Sequence, residues 1–354
     1  MRPFSERLLA WFDQWGRHDL PWQGADSPYP VWISEIMLQQ TQVGTVIPYF
    51  ERFIARFPHC ASLASAPLDE VLHHWSGLGY YARARNLHRT AILIQTRYHG
   101  EFPREHAAWI ALPGIGRSTA SAILALSHGL RHPILDGNVK RVLARQFGIE
   151  GWPELPAVQQ QLWTIAEGLT PQSRIADYTQ AIMDLGATLC TRSAPRCDAC
   201  PVASTCVAHI DGRTTDLPSR RPRRALPRRR TAFLILENCD GALLLEKRPP
   251  SGIWGGLWSF PEVSEGSDYL QWCTHQGLRT DGEFRELPTI DHTFTHFQLA
   301  ITPLACRISA QADACMDSDR WLWYNCDAPA LVGLAKPVAH ILSMRQKSMK
   351  GART

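Results

Sequence analysis

Two stretches of this chain carry residues whose types and spacing can do chemistry. One is Cys190-x6-Cys197-x2-Cys200-x5-Cys206, four of the chain's ten cysteines within seventeen residues. Four thiolates on one short loop bind a soft metal centre, either a structural zinc or an iron–sulfur cluster. Zinc sites usually show two closely spaced pairs. Here only Cys197 and Cys200 are so spaced, and the wide first gap suits a four-iron four-sulfur ([4Fe-4S]) cubane better. The other cysteines, Cys60, Cys239, Cys273, Cys306, Cys315 and Cys326, are scattered as structural or idle thiols are. The other stretch opens with Leu112-Pro113-Gly114-Ile115-Gly116-Arg117-Ser118 and closes with Asp136-Gly137-Asn138-Val139-Lys140. Pro113 ends a helix, and Gly114 and Gly116 permit backbone angles that bulkier residues resist. A helix–hairpin–helix over residues 104–128 is expected, its second helix presenting outward N–H groups. Backbone donors and the helix dipole make such a terminus an anion site. Taken alone, a plain αα-hairpin explains the same turn.

The elements around these stretches divide the chain. Residues 5–110 read as helices, including Val31–Val43, Pro48–Phe57, Pro67–Trp75 and Ala82–Tyr98, with a tight turn at Gly77-Leu78-Gly79-Tyr80-Tyr81. Further helices are expected over Val139–Phe147, Pro156–Leu169 and Asp177–Leu189. Residues 1–215 are therefore expected to be all-α, with the cysteine module at 189–212. Residues 216–230 are rich in Arg and Pro and read as an extended, exposed linker. Beyond it, 231–350 reads as a smaller α/β domain. Strands are expected at Thr231–Glu237, Ala242–Glu246, Phe297–Ile308 and Arg320–Tyr324, and helices at Ser267–His275 and Pro329–Met344.

Length and composition agree with a multidomain protein: 354 residues, 45% hydrophobic and 20% charged, which is ordinary for a globular chain but too long for one small core. The net charge is +4, yet seven arginines lie in the linker alone, so the remainder is net negative. An anionic partner must then be met by local features. The N-terminus lacks the apolar core of a secretory signal, and no run is long enough to span a bilayer. An intracellular, reducing, cytoplasmic setting is the expectation.

The hairpin Leu112–Ala120, the downstream Asp136 and the four-cysteine spacing together resemble the helix–hairpin–helix DNA glycosylases. Within that superfamily, Ser34-Glu35-Ile36-Met37-Leu38-Gln39-Gln40-Thr41-Gln42-Val43 and Gly77-Leu78-Gly79-Tyr80-Tyr81-Ala82-Arg83-Ala84-Arg85-Asn86-Leu87 resemble the adenine DNA glycosylases of the MutY type. The likeness covers nearly the whole chain. It implies excision of adenine mispaired with 8-oxoguanine or guanine in duplex DNA, in base excision repair, by a monomeric enzyme. Rival readings are a bifunctional endonuclease III-like glycosylase/lyase and a non-enzymatic mismatch-binding protein.

The chemistry makes sense of the residues that match. Breaking an N-glycosidic bond through an oxocarbenium-like transition state needs a protonated carboxyl for the leaving base and an ionised carboxylate for the sugar cation. From local sequence Glu35 is most simply an exposed helix glutamate; by resemblance it is the general acid, and its neighbours Trp32, Ile33 and Ile36 would hold it protonated. Asp136 reads as a helix N-cap. That is compatible with a carboxylate kept ionised by N–H groups, as nucleophile or as electrostatic stabiliser. Bifunctional relatives carry a Schiff-base lysine where Ser118 stands, so a monofunctional enzyme is expected. Lys140 reads as a phosphate or structural contact.

The remaining assignments also follow from the resemblance. Base flipping needs a filler for the vacated stack, and Gln40 and Tyr80 match the wedge residues. Trp22 and Gln180 match the adenine pocket, while Gln23 takes a position that is often basic in relatives. Gly114, Gly116, Ser118, Asn138 and Lys140 are the expected DNA contacts, with Arg192 and Arg196 on the cysteine loop. The C-terminal domain resembles the Nudix fold, with Gly255–Glu262 like the start of a Nudix box. The helix after it lacks the arginine and glutamates that hold metals, so nucleotide hydrolysis is not expected. Thr293-Phe294-Thr295-His296-Phe297 resembles the lesion-reading loop, with Thr295 in place of a serine beside His296.

Overall fold

A computed structural model describes residues 2–24, 27–221, 225–310 and 319–351. Pro222, Arg223 and Arg224 of the expected linker, and Cys315, lie outside the described residues. By packing, the chain forms two compact units, Met1–Ser65 with Asn86–Arg223, and Ala66–Arg85 with Arg224–Thr354. Among the described residues no helix is long and apolar enough to cross a membrane.

The first unit is helical: α1 (Phe4–Trp15), α2 (Pro28–Leu38), α3 (Val43–Arg56), α4 (Cys60–Ser65), most of α6 (Ala82–Arg97, after α5, Leu68–His74, of the other unit), α7 (His106–Ile110), α8 (Arg117–His128), α9 (Gly137–Gln146), α10 (Pro156–Leu169), α11 (Ile175–Asp184) and the short α12 (Val207–Ile210). α8 is the central strut, buried through Ala120–Ala125 and packed against α2 and α11. Trp32 and Trp109 are fully buried beside Phe102 and fill the space between α2 and α7. A second core joins α1, α9, α10 and α11 through Leu8, Phe12, Leu143, Leu162 and Ile182.

Three helix boundaries differ from expectation. α2 stops at Leu38, because Gln40 takes a left-handed φ of 58°. α3 starts at Val43 and keeps Pro48 inside it. α11 ends at Asp184 and continues as a π-helical turn, Leu185–Leu189, that delivers Cys190.

Among the described residues, the second unit holds one eight-stranded mixed sheet: β1 (Arg228–Glu237), β2 (Leu243–Lys247), β3 (Trp258–Ser259), β4 (Glu262–Val263), β5 (Arg279–Glu286), β6 (Ile290–Thr293), β7 (Gln298–Ala310) and β8 (Trp321–Tyr324). β1 and β7 run parallel at its centre, and the other pairings are antiparallel. The expected linker does not stay free to residue 230. Arg228, Arg229 and Arg230 pair with Gln298, Leu299 and Ala300, since backbone pairing is indifferent to side-chain charge. Its start is also not exposed, for Leu217 is buried and its carbonyl accepts from Arg145 Nε.

α13 (Tyr269–His275) is capped by Asp268, whose carboxylate accepts the Gln271 N–H. The final helix, α14 (Lys336–Gly351), begins seven residues later than the expected Pro329. Residues 332–335 instead line up beside β3, with Trp258 N–H donating to Gly333 O.

Candidate active site and cysteine loop

α2 carries Glu35. Ser27 caps the helix by accepting the Tyr29 N–H, and Pro28 presets its first turn. Because Val31, Trp32, Ile33, Ile36 and Met37 are all buried, Glu35 is held among apolar neighbours. The residue as a whole is partly buried. Burial, then the nearby charge of Asp136, push its pKa up to about 8.

Asp136 is the N-cap of α9, and its Oδ1 accepts the Val139 N–H at 2.7 Å. Burial raises its pKa as well, against the Val139 and Asn138 N–H groups and the charges of Arg141 and Lys140. Only Asp136 has these donors and cations. These favour its ionised form against burial, and its charge is the second cause of the raised Glu35 pKa.

Ser118, on the first turn of α8, supports this arrangement: its Oγ accepts the Leu135 N–H at 2.9 Å, directly before Asp136. Gly114 has a φ of 77°, and a Cβ there would lie 2.9 Å from Asn86. Gly116 caps α8 with no side chain in the way of its N-terminal N–H groups.

A cavity of about 240 Å³ is lined by Trp22, Val31, His18, Gln23, Leu126 and Gln180, among others. Val31 lies one helical turn before Glu35, so the cavity and the carboxyl share one face of α2. Trp22 and Gln180 thus line the same cavity. Gln180 Nε2 donates to Asp184 Oδ1 at 2.7 Å, and buried Asp184 also receives the backbone N–H and guanidinium of Arg17. Gln23 has its amide engaged with Leu20 and Arg17. The basic residue on this cavity is His18, held by Phe12 O at 2.9 Å. Sequence reasoning missed it, although Arg17-His18 directly precede the Trp22 segment.

Two expected DNA contacts are engaged within the protein. Lys140 Nζ pairs with Glu154 at 2.7 Å. The Asn138 amide accepts from Arg141, whose guanidinium also reaches Gly186 O and Cys190 O. The start of α9 is thereby tied to the cysteine loop. Gln40 and Tyr80 both sit at positive φ, 58° and 50°, and both are exposed.

The four cysteines lie within electrostatic reach of one another, Cys200 feeling Cys190, Cys197 and Cys206. Arg145, 2% exposed, donates to Cys190 Sγ at 3.3 Å and to Thr191 O at 2.7 Å. Arg196 turns back onto Thr188 O. Among the described residues, no three His, Cys, Asp or Glu side chains are placed to hold a single metal ion.

In the second unit, Phe294–Phe297 turn the β6–β7 hairpin, closed by Phe294 N–H to Phe297 O at 2.9 Å. Phe294 stacks on Phe297, and exposed Thr295 contacts His296 Nδ1. Glu262 is engaged by Arg248 and by the Thr231 hydroxyl.

Fold and site together define a helix–hairpin–helix base-excision architecture followed by a Nudix-type sheet domain. Residues 33–167 match the HhH-GPD superfamily of base excision DNA repair proteins, and residues 232–344 match the NUDIX domain. The chain is 39% identical to the adenine DNA glycosylase of Buchnera aphidicola subsp. Acyrthosiphon pisum, covering 98% of each chain. It is 34% identical to that of Mus musculus, covering 99% of this chain and 80% of that one. A thermostable thymine-DNA glycosylase structure is 28% identical with a TM-score of 0.54, over 59% of this chain and 95% of that one. An endonuclease III structure in a non-covalent DNA complex shares the fold at 20% identity and a TM-score of 0.51, over 59% and 94%. The chain belongs to the adenine DNA glycosylases of the MutY type, enzymes of base excision repair.

Proposed function

We propose that this enzyme flips adenine out of A:8-oxoguanine and A:G mispairs and excises it hydrolytically without cutting the strand. The observation that carries the reading is the coupled pair of Glu35 and Asp136. Glu35 gives its proton to the departing base. Asp136, ionised and fixed by the N–H groups of α9, stabilises the sugar cation as the C–N bond breaks, and water then supplies the new C1′–O bond. The base would occupy the cavity beside Val31. Gln180 has its N–H end on Asp184, which leaves Oε1 to accept from the exocyclic amine of adenine.

Residues 1–215 form the catalytic domain in this reading, with Gly114, Gly116 and the α8 N-terminus holding phosphate and Gln40 and Tyr80 entering the stack. After the 216–230 linker, residues 231–350 read the opposite base through Thr295 and His296. The protein acts as a monomer on duplex DNA. Cys190, Cys197, Cys200 and Cys206 would hold a [4Fe-4S] cluster. Their mutual proximity on one short loop fits a shared soft-metal centre, and Arg145 offers its guanidinium to the Cys190 sulfur. Such a cluster would brace the loop and take no part in the hydrolysis.

Ser118 favours this reading over a lyase: its hydroxyl is engaged with Leu135, and it has no amine for a Schiff base. The test is incubation with a duplex holding one A:8-oxoguanine pair. Free adenine should appear with an intact strand that breaks only on heating in alkali. Scission at the rate of base loss would favour the lyase.

A further inference from the structure

The turn that presents Tyr80 is fixed from two sides. Within the turn, Trp75 Nε1 donates to Gly79 O at 3.1 Å, Arg83 donates to Gly79 O at 3.2 Å, and the Arg83 guanidinium lies over the Tyr80 ring. Tyr81 Oη accepts the Gly77 N–H at 3.3 Å. These contacts hold a bulky side chain at a φ of 50°, a conformation that costs energy unless its surroundings impose it.

The other side is the C-terminal sheet. Residues 66–85 share a packing unit with residues 224–354, not with the rest of the helical chain. Arg85 Nη1 donates to Gly255 O at 2.5 Å, and Tyr81 Oη donates to Leu334 O at 3.4 Å. One helix earlier, Asp69 pairs with Lys247 at 2.9 Å, and His73 Nδ1 meets Val332 O at 3.4 Å. Contact is close: a Cβ on Gly333 would lie 2.6 Å from Leu72 Cβ. Lys247 ends β2, and the other contacts come from Gly255, just before β3, and from Val332–Leu334, which run beside it.

We infer that the sheet domain is the platform that sets the position of the Tyr80 turn, with Arg85 and Tyr81 as positioning residues and the Asp69–Lys247 pair as its anchor. The inference rests on the reading of Tyr80 as a DNA wedge residue. It gives the C-terminal domain a second route to opposite-base discrimination, through Tyr80 as well as through Thr295 and His296.

The full chain is compared with Arg85→Ala, Arg85→Lys, Asp69→Lys and the swap Asp69→Lys/Lys247→Asp. Deuterium exchange of the Leu78–Ala82 amides reads the placement without reference to activity. Exchange should rise in Arg85→Ala and Asp69→Lys and return toward wild type in the swap. Unchanged exchange in folded Arg85→Ala and Asp69→Lys would overturn the inference. Single-turnover excision from A:8-oxoguanine and A:G duplexes reads the consequence. Arg85→Ala should lose about tenfold of the preference, the size of one good contact, while Arg85→Lys should recover part of it. In a Tyr80→Ala background Arg85→Ala should change nothing further. Additive losses would also overturn the inference. Failure of the wild type to release adenine from either duplex would instead overturn the functional reading, leaving the exchange result to decide the platform.

Discussion

Gln180 Nε2 and Asp184 Oδ1 lie 2.7 Å apart, and this bond decides which end of the Gln180 amide serves the cavity. Asp184 is fully buried, while the Arg17 side chain opposite keeps 25% of its surface exposed. Asp184→Asn would offer Gln180 a carbonyl or an amine, so the lock on the amide is lost and Arg17 loses its counter-charge. Removing one partner of a well-buried pair costs about 3–5 kcal/mol; partial exposure of Arg17 puts this one at the lower end. Thermal unfolding should show the loss, and single-turnover excision should fall by at least about tenfold. Wild-type behaviour in both would remove Asp184 from the account.

Ser118→Ala deletes the acceptor for the Leu135 N–H just ahead of Asp136. An unmet backbone donor of this kind costs about 1–3 kcal/mol. Expected outcomes are a lower melting temperature and slower excision that still yields an unbroken abasic strand. If excision is unchanged while stability falls, Ser118 is structural and has no role in placing Asp136.

Iron and acid-labile sulfide should each approach four per chain in anaerobically purified protein, with a yellow-brown colour, as a cubane requires. Replacing any one of Cys190, Cys197, Cys200 or Cys206 with Ala should release the metal and loosen the loop that Arg141 and Arg145 grip. Stoichiometric zinc without sulfide would reject the cluster.

Thr295→Ala with His296→Ala is a cleaner test of lesion reading than truncation near Pro218. Removing the sheet would also strip the partners of Arg85, Tyr81 and Asp69. The double variant should retain excision at A:G and lose about one to two decades of preference for A:8-oxoguanine, since a good polar base contact is worth roughly 1–3 kcal/mol. Full preference in the double variant would leave discrimination to Gln40 and Tyr80.

Much of the helical fold was legible because its signals are local. Pro113, Gly114 and Gly116 marked the hairpin, and Asp136 announced a helix start that the Val139 N–H bears out. The sheet domain was less legible. β5 shows no alternation of burial along Arg279–Glu286, being nearly all exposed, so no period of two could reveal it. Pro329–Ala335 reads as helix in sequence, yet Gly333 and Ala335 bond instead with the backbone of Trp258, a long-range partner. The same limit hid His18. Nothing in Arg17-His18 shows that α11 and α2 complete a cavity around it.

Acid catalysis is the central claim, and the pH dependence of single-turnover excision, compared with Glu35→Gln, tests it most directly. Glu35 must be protonated to act, and its pKa stands near 8. The rate should hold at neutral pH and fall as pH rises through about 8. Stability moves in the same sense. The folded pKa exceeds the unfolded value of 4.5, so wild-type stability declines as pH rises from about 4.5 to about 8. The Gln variant lacks that decline and should gain relative stability across the window. Glu35→Gln should lose at least about two to four decades of rate, the usual worth of acid catalysis, and still bind duplex, whose affinity comes mainly from phosphate contacts. Substantial turnover by Glu35→Gln, or a wild-type rate that rises through pH 8, would contradict the assignment.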